Sequence, residues 1–173
     1  CSYGKNEILR NLSFNIADGS FTSILGSNGC GKTTLLRCIA GLLEPQKGSV
    51  LIGGKPIGNY TARQRAQMVS LVQQHPQADI EFSAFETVLM GRNPYQRQWQ
   101  LANPHDDAVV EEMLERCKVW KYRDSMLQAL SGGERQRGMI ARAMAQQPGI
   151  MLLDEPLSNI DVTHKFEIMD ILQ

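Results

Sequence analysis

FTSILGSNGCGKTTLL, residues 21–36, is the most informative stretch of this 173-residue sequence. An apolar run at residues 21–25 meets Gly26, the pattern GxxxxGKT follows up to Thr33, and an apolar pattern of helical period begins immediately afterwards. A strand, a glycine-rich turn and a helix in this order are typical of a P-loop. The glycines allow successive backbone N–H groups to point at an anion, and the helix directs its positive N-terminal end to the same place. The stretch therefore predicts a site for the phosphates of a nucleoside triphosphate.

Individual side chains of this loop have separate expected roles. Lys32 supplies a mobile positive charge for the outer phosphates and for the reaction, and the Thr33 hydroxyl is expected to hold a magnesium ion. The residues expected to bind nucleotide are Gly26, Ser27, Asn28, Gly29, Cys30, Gly31, Lys32, Thr33 and Thr34. The alternative is a glycine turn with an incidental Lys-Thr pair. It does not explain why the whole pattern lies between a strand and a helix.

Composition limits the classes of partner. Lysine plus arginine and aspartate plus glutamate number 18 each, which gives no support for a nucleic-acid partner or an anionic membrane surface. No apolar run reaches the roughly 18 residues of a membrane span, so we expect no direct membrane insertion. The four cysteines lack metal-type spacing and are expected to be reduced thiols in a cytosolic chain. Because the sequence starts at Cys1 without methionine and stops at Gln173 within an apolar helical pattern, we expect a C-terminally truncated fragment.

Two adjacent acids follow an apolar run in IMLLDEP, residues 150–156. An aspartate at a strand end beside a P-loop can hold magnesium directly or through water, so Asp154 is the expected metal-side acid. The next carboxylate can orient the attacking water, so Glu155 is the expected general base. The alternative is a pair of solvated acids where the strand leaves the sheet. The P-loop upstream favours the catalytic interpretation.

The stretch LSGGERQ, residues 130–136, has two compatible interpretations. Ser131 and Glu134 fit a capping box, which would simply start a helix. The capping box does not explain Gly132 and Gly133, which offer bare N–H groups to an anion at the start of that helix. One cap can serve the helix when the site is empty and a phosphate when it is filled.

Hydrophobic periodicity and turn residues predict alternating strands and helices. Strands are expected at residues 8–16, 21–25, 49–52, 68–72 and 150–153. Helices are expected at residues 32–43, 61–67 and 83–92, from Asn103 onward, and at 133–146. This alternation predicts an α/β fold with a mainly parallel sheet, and the ligand then belongs at the C-terminal ends of the strands.

Taken in order, GSNGCGKT at residues 26–33, LSGGERQ at 130–136 and IMLLDEP at 150–156 resemble the nucleotide-binding subunit of ABC transporters. The resemblance covers essentially the whole chain. It implies a single P-loop NTPase domain over residues 1–173, with a RecA-like parallel sheet core and an N-terminal antiparallel β subdomain. The core with its β subdomain would be residues 1–75 and 148–173. An inserted α-helical subdomain would occupy residues 76–147 and end in LSGGERQ.

The same resemblance implies roles for residues near the ATP base and the metal. Tyr3, which lies 23 residues before Gly26, would stack on adenine; the alternative is a strand aromatic packed in the core. Gln73 would sense magnesium and the transmembrane partner, with Gln74 as a near-equal choice.

Other implied roles concern a second copy of the subunit. Ser131, Gly132 and Gly133 would contact the γ-phosphate held by that second copy. Asp161 would be the D-loop aspartate, with a helix N-cap as the alternative. His164 follows Asp161 by only three residues, too soon for the switch histidine of the family, which would lie beyond the end of this chain.

These features imply a peripheral ATPase on the cytoplasmic face of the inner membrane. Two copies, or this subunit and a paired ATPase subunit, would sandwich ATP and magnesium and drive transmembrane permease subunits through the helical subdomain and Gln73. The stretches at residues 86–95 and 161–165 resemble importers of iron–siderophore complexes, haem or cobalamin. The alternative is a soluble ABC-type ATPase acting on ribosomes or nucleic acid. A single P-loop, the lack of heptads and the lack of a basic patch argue against it. LSGGERQ argues against a third class, the P-loop kinases.

Overall fold

The computed structural model describes residues 2–3, 6–73, 81–96, 103–158 and 161–172. The chain divides into two compact units, Cys1–Thr61 and Ala62–Gln173. Among the described residues, the first unit contains four short strands and one α-helix: β1 Ser2–Tyr3, β2 Asn6–Glu7, α1 Lys32–Ile39, β3 Leu51–Ile52 and β4 Lys55–Pro56. The described part of the second unit has two strands and five α-helices, and three of these helices lie between the strands: α2 Ala62–Met68, β5 Val69–Val72, α3 Ala84–Leu89, α4 Pro104–Arg116, α5 Gly132–Ala145, β6 Ile150–Leu153 and α6 Val162–Leu172.

The strands of the first unit form two antiparallel hairpins. β1 pairs with β2, and β3 pairs with β4. Gly53 and Gly54 join β3 to β4 with φ of 56° and 76°, a left-handed conformation at both positions that favours glycine. The antiparallel strands predicted for the N-terminal part are therefore present.

Two predicted strands are absent from the first unit. Residues 8–31 contain no strand, so the predictions for residues 8–16 and 21–25 were wrong. A strand requires a neighbour that pairs with its backbone, and no described segment forms a ladder with these residues. Phe21 is 65% exposed and Leu25 is 92% exposed. Apolar composition predicted the strands, but it does not supply the paired neighbour.

Helix α1 ends four residues before its predicted end because of Gly41. Gly41 has φ of 67°, and its N–H donates to the Cys38 carbonyl at 3.0 Å. The Leu42 N–H reaches back to the Arg37 carbonyl at 2.9 Å. These two bonds form a Schellman motif, which satisfies the last carbonyls of the helix and stops it. The prediction relied on Pro45 and Gly48 and missed this nearer glycine.

A parallel pair of strands forms the sheet of the second unit. β5 and β6 run side by side in a register from Val69 opposite Ile150 to Val72 opposite Leu153. Both strands were predicted from short apolar runs, as expected for parallel strands covered on their faces. The register brings the C-terminal ends of the two strands to the same edge.

Helices α3, α4 and α5 enclose the hydrophobic core of the second unit, and α6 packs against it. The fully buried core side chains include Ala84, Val88, Val110, Leu114, Ile140 and Ile168. The predicted start signals for these helices are confirmed. Ser83 and Glu86 form a capping box at α3, and the Asn103 side chain accepts a hydrogen bond from the His105 N–H with proline in the first turn of α4.

A buried ion pair ties three segments of this unit together. The Arg92 guanidinium donates from Nε to Asp106 Oδ1 at 2.8 Å, and both side chains are nearly inaccessible. Its Nη1 donates to the Ala145 carbonyl at 2.7 Å and to Gln147 Oε1 at 2.9 Å. The guanidinium also lies over the Tyr95 ring, 4.1 Å from its centroid. Arg92 thereby joins the segment after α3, the first turn of α4 and the end of α5.

Candidate nucleotide-binding site

The predicted P-loop forms a glycine-shaped turn before α1. Gly29 and Gly31 have φ of 78° and 101°. A Cβ added at Gly31 would lie 2.7 Å from Ile8 Cγ2, so both backbone conformation and space require glycine there. The N-cap residue of α1 is Gly31, which has no side chain to cap the helix, and no acid lies in the first turn. Its positive N-terminal end is therefore suited to a negatively charged ligand.

Lys32 folds back over this loop. Its Nζ donates to the Gly26 carbonyl at 3.0 Å and to the Ser27 carbonyl at 3.1 Å. These are weak partners for an ammonium group compared with a phosphate oxygen, since hydrogen bonds between two charged groups are shorter and stronger. The Lys32 side chain is therefore held against the loop that is predicted to bind phosphate.

The remaining loop side chains separate into an accessible set and a buried one. Thr33 lies at the second position of α1 and is exposed, whereas Thr34 is buried. Of these two threonines, Thr33 is therefore the one whose hydroxyl is accessible, and it is the residue predicted to hold the metal. The other exposed loop residues are Gly26, Ser27, Asn28, Gly29 and Cys30.

The predicted acids lie at the carboxyl edge of the parallel strand pair in the second unit. The Asp154 N–H donates to the Val72 carbonyl at 2.9 Å, which extends the ladder by one step beyond β6. Gln73 directly follows Val72, so Gln73 and Asp154 occupy neighbouring positions at this edge. Asp154 is only 5% exposed, whereas Gln73 is exposed. The structure therefore brings together two of the three predicted metal-side residues.

Glu155 has an unusual backbone conformation. Its φ of 49° lies in the left-handed region, which a non-glycine residue adopts at a cost of about 1–3 kcal/mol. The Ser158 N–H and hydroxyl both donate to the Glu155 carbonyl, at 3.1 and 2.9 Å. The chain thus turns sharply after Asp154, and Ser158 stabilises the turn. The sequence contained no signal for this conformation because glycine is the residue that usually marks it.

The capping box predicted in LSGGERQ is confirmed at the start of α5. The Ser131 hydroxyl accepts from the Glu134 N–H at 3.4 Å, and the Ser131 N–H donates to Glu134 Oε2 at 3.0 Å. A hydrogen bond with Tyr122, reinforced by Ser131, lowers the pKa of Glu134 to about 2. Gly132 is exposed, and a Cβ added there would meet nothing within 4 Å, whereas Gly133 is buried. The participation of Tyr122 was not predicted.

Asp161 caps α6. Its Oδ1 accepts from the His164 N–H at 3.0 Å and lies 2.8 Å from His164 Nδ1. The helix N-cap that the sequence left open is therefore present, and it does not conflict with a role of the exposed carboxylate toward a second copy. Tyr3 lies in β1, where only the backbone is described, and Gln74 lies outside the described residues.

The predicted site residues are divided between the two units, and each group is described within its own unit. The P-loop belongs to the unit Cys1–Thr61, whereas Gln73, the acids, LSGGERQ and Asp161 belong to Ala62–Gln173. No helix in the described ranges has the length and apolar character needed to cross a membrane. Across the same ranges, no cluster of three or more His, Cys, Asp or Glu side chains is arranged to bind a metal by itself.

Comparison with known proteins supports the sequence resemblance. A family model described as ABC transporter matches residues 9–158. The petrobactin import ATP-binding protein FpuD of Bacillus anthracis is 38% identical over 171 residues, which cover 99% of this chain and 63% of the relative. The ferric enterobactin transport ATP-binding protein FepC of Escherichia coli (strain K12) is 36% identical over 170 residues, which cover 98% of this chain and 63% of the relative.

A solved structure supports the fold. The cbiO1 protein of Clostridium perfringens, part of the ABC transporter complex cbiONQ, superposes with a TM-score of 0.81 at 30% identity. The match covers 95% of this chain and 65% of that protein. The chain thus spans less than two thirds of the length of the relatives it matches. The chain belongs to the ABC transporter family, and the relatives it matches are ATP-binding proteins of that family.

Proposed function

We propose that this chain is the ATP-binding and ATP-hydrolysing part of an ABC importer. The observation that carries the proposal is the carboxyl edge of the parallel strand pair. There the Asp154 N–H bonds to the Val72 carbonyl and sets Gln73 beside the two acids. A complete P-loop and a complete LSGGERQ accompany this edge in the same chain. An acid, an amide and a phosphate loop together are the groups that ATP hydrolysis requires.

In the proposed reaction, the loop residues bind ATP and the acids act on water. Backbone N–H groups of residues 26–34 hold the phosphates, and Lys32 moves from its two carbonyl partners to the outer phosphates. Glu155 accepts a hydrogen bond from the attacking water and aligns it with the γ-phosphorus. Tyr3 stacks on the adenine ring in this proposal.

We propose that the ATP-bound protein holds a magnesium ion. Asp154, Gln73 and Thr33 offer a carboxylate, an amide oxygen and a hydroxyl, which are the hard oxygen donors that Mg²⁺ prefers. A site of this kind needs few protein ligands because nucleotide phosphates and water supply the others. When bound, the ion neutralises charge on the β- and γ-phosphates. Burial of Asp154 at the strand end restricts its carboxylate to a narrow range of positions.

The proposed assembly contains two ATPase copies and a transmembrane permease. Ser131, Gly132 and Gly133 of one copy would contact the γ-phosphate in the other, and Asp161 would approach the same interface. Residues 76–147 would form the helical subdomain that contacts the permease, and residues 1–75 and 148–173 the core. The subunit would lie peripherally on the cytoplasmic face of the membrane.

The names of the relatives support an importer of iron–siderophore complexes. FpuD is named for petrobactin import and FepC for ferric enterobactin transport. Haem and cobalamin, which the sequence resemblance also allowed, are not in these two names. A soluble ATPase acting on ribosomes or nucleic acid is disfavoured because these relatives are transport proteins.

Alkylation of Cys30 tests ATP binding at the loop. We expect ATP to slow the reaction of Cys30 with N-ethylmaleimide in the intact protein, because phosphates filling the loop cover this exposed thiol. At ATP ten times its Kd the slowing should be about tenfold, by mass action. Peptide mapping by mass spectrometry gives the rate at each cysteine. The buried Cys38 and Cys117 serve as internal controls.

The Lys32→Ala variant distinguishes protection of Cys30 by ATP bound at the loop from nonspecific effects of ATP on the alkylation rate. ATP should no longer protect Cys30 in this variant, although the thiol remains accessible. Protection that is equal in both proteins, or absent from the wild type, would contradict phosphate binding at residues 26–34.

A further inference from the structure

The imidazole of His164 packs directly against Gly133. A Cβ added at Gly133 would lie 2.7 Å from both Cγ and Cδ2 of His164 and 3.1 Å from its Cβ. Such separations are shorter than normal contacts between carbon atoms, so only glycine leaves room for the ring. The second glycine of the LSGG turn is therefore shaped by a side chain from α6.

The same imidazole is hydrogen-bonded to Asp161. One carboxylate oxygen of Asp161 lies 2.8 Å from His164 Nδ1 and accepts the His164 N–H at 3.0 Å. The Asp161 side chain remains 65% exposed, so its carboxylate is accessible to solvent while it contacts the His164 ring. His164 is thus in contact with both predicted motifs that face a second copy.

A second contact runs along the same seam between α5 and α6. Arg137 Nη1 donates to Glu167 Oε2 at 2.6 Å. Arg137 lies one turn after Gly133 on α5, and Glu167 lies one turn after His164 on α6, so each pair shares a helix face. Ile168 is fully buried in the core beside this seam. The start of α6 is therefore held in a fixed position relative to the start of α5.

We propose that His164 is a positioning residue that holds the Asp161 carboxylate at a fixed spacing from the turn of Ser131, Gly132 and Gly133. The proposal rests on the proposed function, in which the turn contacts the nucleotide of a second copy and Asp161 approaches the same interface. Two groups that must engage one partner together bind it more tightly when their spacing is already set. His164 acts through its neighbours and does not contact the nucleotide.

ATP-dependent association measures this role directly. In intact protein carrying Glu155→Gln, we expect His164→Ala to raise the dissociation constant of the ATP-bound dimer about tenfold, the effect of losing a hydrogen bond to a charged group. Binding of a fluorescent ATP analogue to the monomer should not change, because the P-loop is intact. His164→Asn should recover much of the association, since its amide N–H stands where Nδ1 stood. The matched control is His105→Ala, which removes an exposed imidazole from α4.

A double variant tests the packing itself. Gly133→Ala should lower the thermal unfolding midpoint because its methyl group overlaps the ring. Adding His164→Ala should restore part of that loss by removing the ring. A double variant that loses the sum of the two single losses would overturn the contact.

The association results separate this inference from the proposed function. If Glu155→Gln dimerises with ATP and His164→Ala dimerises equally well, the positioning role is overturned and the composite site stands. If Glu155→Gln remains monomeric at saturating ATP, the composite site is contradicted and the positioning role falls with it.

Discussion

Glu155→Gln should lower the rate of ATP hydrolysis by about 10²–10⁴-fold and leave ATP binding intact. The amide keeps the size of the side chain but cannot accept the proton of the attacking water. The left-handed backbone at Glu155 and its bonds to Ser158 do not depend on the carboxylate, so the turn should survive. Steady-state phosphate release and equilibrium binding of a fluorescent ATP analogue, both on the intact protein, measure the two properties.

Lys32→Ala, in contrast to Glu155→Gln, should abolish ATP binding. Removing the ammonium group weakens the attraction for the outer phosphates, so ATP binding itself should fail.

Glu112→Gln is the matched control for Glu155→Gln, because Glu112 is exposed on α4 and distant in sequence from every predicted motif. A Glu155→Gln protein that hydrolyses ATP at the wild-type rate would contradict the general-base role.

Asp106→Ala should lower the free energy of unfolding by about 3–5 kcal/mol, because it leaves the buried guanidinium of Arg92 without its counter-charge. The side chains of the pair are 3% and 4% exposed. The two remaining hydrogen-bond acceptors of Arg92, the Ala145 carbonyl and Gln147 Oε1, do not carry a compensating charge. Urea titration of the intact protein measures the loss.

Asp124→Ala is the matched control for this pair. Asp124 also pairs with an arginine, Arg123, but the side chains are 84% and 41% exposed. Exposed pairs contribute about 0–1 kcal/mol, so the control should be nearly neutral. The double variant Arg92→Met with Asp106→Ala should lose much less than the two single losses combined, because the unpaired charge is gone. Equal losses for Asp106→Ala and Asp124→Ala would show that burial of the pair is unimportant.

Local chemistry explains which parts of the fold could be predicted. A capping box requires only residues three apart, and both Ser83 with Glu86 and Ser131 with Glu134 formed as predicted. The glycine pair between β3 and β4 likewise needs no distant partner. The strands predicted at residues 8–16 and 21–25 do need one, and no described segment supplies it. The spacing of apolar residues indicates that a segment can form a strand. The segment forms one only where another segment pairs with its backbone.

The candidate site divides in the same way. The two apolar runs that form β5 and β6 were predicted, but the register that places Gln73 beside Asp154 came only from the structure. The left-handed conformation of Glu155 and the bond from Tyr122 to Glu134 depend on folded surroundings, so no short motif announced them. His164 was considered only as a switch histidine, and its contact with Gly133 joins residues 31 positions apart in sequence.

The mass of the intact Glu155→Gln protein in solution, with and without ATP and magnesium, is the most direct test of the composite site. ATP should double the mass, and Ser131→Arg should abolish the doubling by filling the turn that contacts the γ-phosphate. Ser83→Arg, which alters an equivalent capping box at α3, should leave the doubling unchanged. A protein that binds ATP and stays monomeric, or one in which both arginine variants behave alike, would contradict a nucleotide shared between two copies.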